Sequence, residues 1–301
     1  MLEYLIFLFS LSALLLGARL LTNSARHMAK AAGISEFVIG ATVVALGTSL
    51  PEMASSILAM LSGHPGITVG NVLGSNVANI GLALGLASML FPIYVSRQIT
   101  DIDIPFLLAS AIATFVVFID LRVTWIEGII LILMYLAFIH HEASQSHASE
   151  KAAGEKLDRK QLLGFFLGMV LLYLGARYVI SSALAIAESM SISESLIAFF
   201  LVAAGTSLPE IAATLTAARD GRGEIAMGNV LGSNAFNSLV VLGSSSFFGV
   251  VTDDGVFVYA ALSAMILLSI LLGFMALNNR ITRLEGTLLF LIYCALAINL
   301  I

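Results

Sequence analysis

Apolar residues run along this chain in ten stretches of bilayer-crossing length, near 2–24, 36–62, 66–92, 102–119, 123–143, 161–183, 194–219, 223–250, 255–277 and 284–301. Runs of this kind, about 17–25 residues long, cross a membrane as helices. The first has no basic segment ahead of it and no small-residue cleavage pattern, so it reads as a retained span. The second, third, seventh and eighth are interrupted by Gly, Ser, Thr and Asn. Such helices are poor lipid neighbours, and they are expected at the centre, shielded by the other six.

The polar interruptions recur. GTSLPE stands at 47–52 and again at 205–210, and GNVLGSNVAN at 70–79 is matched by GNVLGSNAFN at 228–237. Thr48 and Thr206, like Ser75 and Ser233, are 158 residues apart, and about half the positions of 38–85 are identical in 196–243 without a gap. The longest polar connector, 141–160, separates five spans from five. An odd number of spans per half makes the second copy enter from the opposite side. The expected architecture is therefore an all-α polytopic membrane protein of ten transmembrane helices in two inverted five-helix repeats, 1–140 and 161–301, joined by the linker 141–160.

Composition agrees: of 301 residues, 59% are apolar and only 11% charged, against about a quarter charged in soluble domains. The net charge of −5 does not set orientation, but the placement of the 14 Lys and Arg residues does. Eleven of them, from Arg26 and Lys30 to Arg280 and Arg283, fall in loops of one side, and only Arg122 on the other. Arg19 and Arg177 lie within spans, near their ends, where they snorkel. The basic side is expected in the cytoplasm, with both termini outside, in a plasma (cytoplasmic) membrane. Cys294, the one cysteine, reads as packing. Asp253 and Asp254 read as a solvated external turn, and Asp101 and Asp103 as a solvated span end.

Glu52 and Glu210 carry the chemistry. A carboxylate at membrane depth costs a few kcal/mol and marks a site. Thr48 and Glu52 share a helical face with Ala45, and Ser75 and Asn79 repeat the four-residue spacing; Ala203, Thr206, Glu210, Ser233 and Asn237 follow the same pattern. Pro51 and Pro209 each predict a kink that frees carbonyl oxygens at Gly47 and Gly205. Oxygen-only ligands select hard cations such as Ca²⁺ and Na⁺. All five histidines fall at span ends or in loops, so a softer metal is not expected and neither is a resident cofactor. The glycines of the repeats, Gly70, Gly74, Gly81 and Gly85 with Gly228, Gly232 and Gly243, read as points of close helix approach. Asn71, Asn76, Asn229 and Asn234 read as holding helices together. An intramembrane hydrolase using Ser49 or Ser207 would need a base that no span interior supplies, so no enzyme activity is expected.

At these phrases the sequence resembles the cation/Ca²⁺ exchanger superfamily, specifically its microbial Na⁺/Ca²⁺ exchangers. The resemblance implies that Glu52, Glu210, Thr48 and Thr206 bind Ca²⁺. It implies that Na⁺ sites use Ala45, Thr48, Ser49, Glu52 and Ser75 in one half and Ala203, Thr206, Ser207, Glu210 and Ser233 in the other. Asn79 and Asn237 complete the centre. Several relatives carry Asp where this chain has Asn237, K⁺-dependent ones among them, so K⁺ co-transport is not expected. Paired asparagines also occur in H⁺/Ca²⁺ exchangers, which leaves H⁺/Ca²⁺ antiport as the alternative to Na⁺/Ca²⁺ antiport by alternating access. The implied partners are the lipid bilayer and the transported ions, with no nucleic acid and no obligatory protein partner. The linker is too short for the Ca²⁺-sensing domain of animal relatives.

Overall fold

The computed structural model describes residues 2–33, 35–146, 159–189, 207–252 and 256–300. Within them lie ten helices: α1 (Leu2–Ala32), α2 (Glu36–Leu61), α3 (Pro65–Leu90), α4 (Ile99–Val117), α5 (Trp125–Ser146), α6 (Arg159–Ser189), α7 (Leu208–Arg219), α8 (Gly223–Phe248), α9 (Val256–Ala276) and α10 (Arg283–Leu300). Eight of the described helices are long and apolar enough to cross a membrane; α7 and α10 are the two outside that set. The first part of the expected seventh span, residues 147–158 of the linker, and Asp253 and Asp254 lie outside the described residues.

Central and peripheral helices separate as their polarity predicts. In its apolar window α8 is 94% buried and α3 78%, against 33% for α1 and 28% for α5. The outer helices turn Leu8, Phe9, Leu16, Ile130, Leu133, Leu163 and Phe166 outward. Apolar exposure on that scale would be a liability in water and is the requirement in lipid.

Helix boundaries follow local chemistry. Ser35 caps α2, accepting from the Val38 N–H at 3.1 Å. The Glu127 carboxylate accepts from the Thr124 N–H and hydroxyl at the start of α5, and Glu285 takes the same two bonds from Thr282 ahead of α10. These residues are 158 apart, as are the repeat phrases. Two short antiparallel bridges obey the same spacing. Ile93 and Tyr94 pair with Ile281 and Arg280, while Val251 and Thr252 pair with Val123 and Arg122. A shift of 158 residues thus turns the first bridge into the second with its strands exchanged. Gly128 meeting Gly243 and Ser246 has its copy in Gly286 meeting Gly85 and Ser88, so α5 lies on α8 as α10 lies on α3.

Close approach explains most repeat glycines. A side chain at Gly228 would strike the Phe37 carbonyl at 2.5 Å, one at Gly232 would strike Ala41, and one at Gly81 would strike Tyr293 at 2.6 Å. No described residue meets Gly70 or Gly74. Their counterparts Gly228 and Gly232 pack on Phe37 and Ala41, and the corresponding residues 195 and 199 lie outside the described set. One expectation fails. Asp101 is exposed, but Asp103 is buried to 1% and faces Glu142 at the end of α5. The start of α4 tucks inward between α5 and α8, a tertiary placement that its span-end position does not reveal.

α1 and α6 pack closely on each other. Leu14, Ala18, Leu21 and Ala25 pack with Phe165, Leu172 and Ala176, and with Ile39 and Val44 of α2 and Ala212 and Ala213 of α7, apart from the main apolar core. Their backbones touch: a side chain at Gly168 would meet the Leu21 nitrogen at 2.7 Å, and one at Gly175 the Leu14 nitrogen at 2.6 Å. Only backbone could yield there. Gly168→Leu is therefore expected to cost more than the usual overpacking penalty of about 1–3 kcal/mol. It should lower the thermal unfolding midpoint of the detergent-purified protein by several degrees, while Leu16→Ala on the outward face leaves it near wild type.

Candidate functional site

The four polar helices cross one another. α2 packs on α3 and on α8, and α7 packs on α8 and on α3, so each half is stapled to the other through its repeat segments. Gly40 makes the α2–α8 crossing close: a side chain there would meet the Ile225 carbonyl at 2.9 Å. The polar phrases are interior. Thr48, Ser49, Glu52, Ser75, Asn79, Ser207, Glu210, Ser233 and Asn237 are all buried, as is Ala45. Ala203 and Thr206 lie outside the described residues.

Hydrogen bonds bring several of these groups together across the halves. The Ser49 hydroxyl on α2 donates to Oε1 of Glu210 on α7 at 3.0 Å. Ser49 stands three residues before Glu52, so the Glu210 carboxylate reaches the Glu52 helix within one turn of Glu52. Thr48 bonds the Val44 and Ala45 carbonyls of its own helix at 3.2 Å and Asn229 Oδ1 of α8 at 3.3 Å, with Ser233 Oγ at 3.5 Å. The second Glu210 oxygen has no hydrogen-bond partner among the described residues, and neither amide atom of Asn237 has one. Buried polar atoms without partners are costly and are uncommon away from sites that take a ligand.

Asn71 and Asn229 hold the framework. The Asn71 amide donates to the Glu52 carbonyl at 3.0 Å and to Ser56 Oγ at 2.9 Å; that of Asn229 donates to the Glu210 carbonyl at 3.4 Å and to Thr214 Oγ1 at 3.0 Å. Both belong to the asparagines expected to join helices, and both fix the backbone at the glutamate itself. Ser56 and Thr214 went unremarked in the sequence, because the repeat keeps a hydroxyl there but not the residue type.

Gly205, whose carbonyl the second predicted kink frees, lies outside the described residues. α2 is continuous α-helix from Ala45 through Pro51 to Leu61, and its irregularity is a π turn at Gly40–Val44. Pro51 has no N–H, so the Gly47 carbonyl is left without its usual helical donor. Pro209 stands in the first turn of α7, where a missing N–H costs little. Further π turns occupy Asn79–Leu84 and Phe236–Val241. They widen α3 and α8 at the two paired asparagines, and such turns concentrate at functional sites.

The donor set is hydroxyl, amide, carbonyl and carboxylate oxygen. Among the described residues no three His, Cys, Asp or Glu side chains gather to hold a metal. Oxygens of these types suit hard cations such as Ca²⁺ and Na⁺.

Known proteins resemble this chain over its whole length. A family profile described as sodium/calcium exchanger protein matches residues 2–141 and 160–301. The sodium/calcium exchanger MaX1 of Methanosarcina acetivorans is 34% identical, the alignment covering 99% of this chain and 98% of that one. An uncharacterized membrane protein of Methanocaldococcus jannaschii is 33% identical over 95% of this chain and 94% of its own. Among solved structures, the sodium-calcium exchanger NCX_Mj soaked with Na⁺ and Sr²⁺ superposes with a TM-score of 0.87 at 32% identity, covering 98% of this chain and 97% of that one.

The framework role of Asn229 has a measurable consequence. Asn229→Leu removes the amide that donates to the Glu210 carbonyl and the Thr214 hydroxyl and accepts from the Thr48 hydroxyl. Buried groups left this way cost about 1–3 kcal/mol. The purified variant should unfold several degrees below wild type, and an unchanged midpoint would show that these bonds carry no load.

Proposed function

The chain belongs to the sodium/calcium exchanger family of multi-pass membrane transporters, and on that premise we propose that it exchanges Na⁺ for Ca²⁺ by alternating access, without K⁺. The observation that carries the reading is the bond from Ser49 in one repeat to Glu210 in the other. It draws the two glutamate-bearing helices to one place, where a single cation can be shared. In this reading Glu52, Glu210, Thr48 and Thr206 bind Ca²⁺. Na⁺ occupies overlapping positions formed by Ala45, Thr48, Ser49, Glu52 and Ser75 and by Ala203, Thr206, Ser207, Glu210 and Ser233, with Asn79 and Asn237 at the centre.

Electrostatics supplies the coupling. Two unit charges 4 Å apart in a medium of effective dielectric 20 repel by about 4 kcal/mol. Without a cation the paired carboxylates oppose closure of the site. Ca²⁺ neutralises both together, and Na⁺ ions do the same one charge at a time. Either cargo allows the site to close and change sides, and the bare site stays open to the side it faces. Differential stabilisation of the closed form by the cargo is the driving term, since a ligand shifts an equilibrium only by its differential affinity.

The architecture proposed with this function is ten spans in two inverted halves, 1–140 and 161–301, with the linker 141–160 and the basic loops in the cytoplasm and both termini outside. Exchange of the two β bridges under the 158-residue shift supports the inversion, as do the paired caps and glycine crossings. The α1–α6 pair, whose backbones touch, is the part that slides against the polar centre in this reading.

Proteoliposomes test the reading. Outward Na⁺ gradients should drive ⁴⁵Ca²⁺ uptake, equal K⁺ gradients should add nothing, and Glu52→Gln or Glu210→Gln should each reduce uptake to the protein-free level. Retained uptake in both variants would remove the carboxylate pair from the mechanism. Uptake driven by H⁺ and not by Na⁺ gradients would instead assign the proton as counter-ion.

A further inference from the structure

The two central asparagines occupy corresponding positions, yet only one of them is held. The Asn79 amide nitrogen donates to Asn234 Oδ1 at 3.0 Å, and the Asn234 amide nitrogen donates in turn to the backbone carbonyl of Asn76 at 3.1 Å. A carbonyl only accepts, so the Asn234 amide has one permitted orientation, with its oxygen toward Asn79. That oxygen also only accepts, so Asn79 must present its NH₂ to it. The Asn79 oxygen is thereby turned the other way, and it has no hydrogen-bond partner among the described residues although the residue is fully buried. The π turn that begins at Asn79 packs against α7, the helix of Glu210.

The second half departs from this arrangement. By the repeat, Asn76 should do for Asn237 what Asn234 does for Asn79. Its amide instead donates to Ser238 Oγ at 2.6 Å and to the Met265 sulfur at 3.2 Å, and Asn237 bonds to nothing among the described residues. Ser238 stands where the first half has Ile80, so the hydroxyl that diverts Asn76 exists in one repeat alone.

We propose that Asn234 is a positioning residue: through Asn79 it fixes an amide with its oxygen, not its NH₂, toward the transported cation. The proposal rests on the exchanger reading above. A flipped Asn79 would direct two N–H dipoles at the cation, opposing binding where the carbonyl dipole favours it. Asn234 itself touches no ion; its effect is carried by one hydrogen bond anchored on a backbone carbonyl, and so does not depend on side-chain choices elsewhere.

The test compares Asn234→Leu, Asn234→Asp and Asn79→Ala, singly and combined, in the full-length protein. Half-saturating Ca²⁺ is read twice, as Ca²⁺-dependent thermal stabilisation of the purified protein and as ⁴⁵Ca²⁺ uptake. Asn234→Leu should raise it about tenfold with the maximal rate within about twofold, whereas Asn234→Asp, which keeps an acceptor for Asn79, should stay within about threefold of wild type. In the Asn79→Ala background Asn234→Leu should add nothing. Should the leucine variant fail to assemble, Asn234→Ala makes the same comparison. The proposal is overturned if the Asn234 effect persists undiminished without Asn79, or if only the maximal rate falls. If purified protein binds Ca²⁺ but Na⁺ drives no uptake, the exchanger reading fails, while the thermal data still decide the role of Asn234.

Discussion

Everything in this protein answers to the burial of two carboxylates in a medium that cannot solvate them. Glu52 and Glu210 lie inside the bundle, and the helices that carry them are the ones least able to face lipid. Six apolar helices are needed to shield four polar ones, which accounts for the size of the chain and the near absence of charge from its spans. The same constraint gives the fold its function. A buried charge must be matched by something, and in the proposed mechanism the matching charge is one that arrives from either side and leaves on the other.

Duplication supplies the second carboxylate and also the geometry. In the proposed architecture each half holds an odd number of spans, so the copies run in opposite directions and equivalent residues approach the same point from the two faces. The bridges, caps and glycine crossings repeat at one spacing, so the frame around the site is close to symmetric. The site within it is not. Asn79 is locked by Asn234 while Asn237 has no hydrogen-bond partner among the described residues, and Leu239 stands where the other half has Gly81.

Much of this was legible in the chain before any coordinates. Hydrophobic runs marked the spans, and the doubled GTSLPE phrase marked the glutamates, because a polar phrase repeated inside apolar helices has no packing explanation. Identification of the family followed from the same phrases. What escaped was set by contacts between distant segments. The π turns leave no periodic signal, and Asp103 looked solvated because its neighbour Glu142 belongs to another helix. Ser238 could be seen as a departure from the repeat, but its effect on Asn76 could not.

The claim that cargo is required to neutralise the pair is tested most directly by zero-trans efflux. Proteoliposomes loaded with ⁴⁵Ca²⁺ are diluted at neutral pH into a medium free of Na⁺ and Ca²⁺. Release should stop after about one Ca²⁺ per transporter, since the bare site cannot return, and should resume when external Ca²⁺ or Na⁺ is added. Sustained efflux into the cation-free medium, at a rate comparable with exchange, would contradict the account.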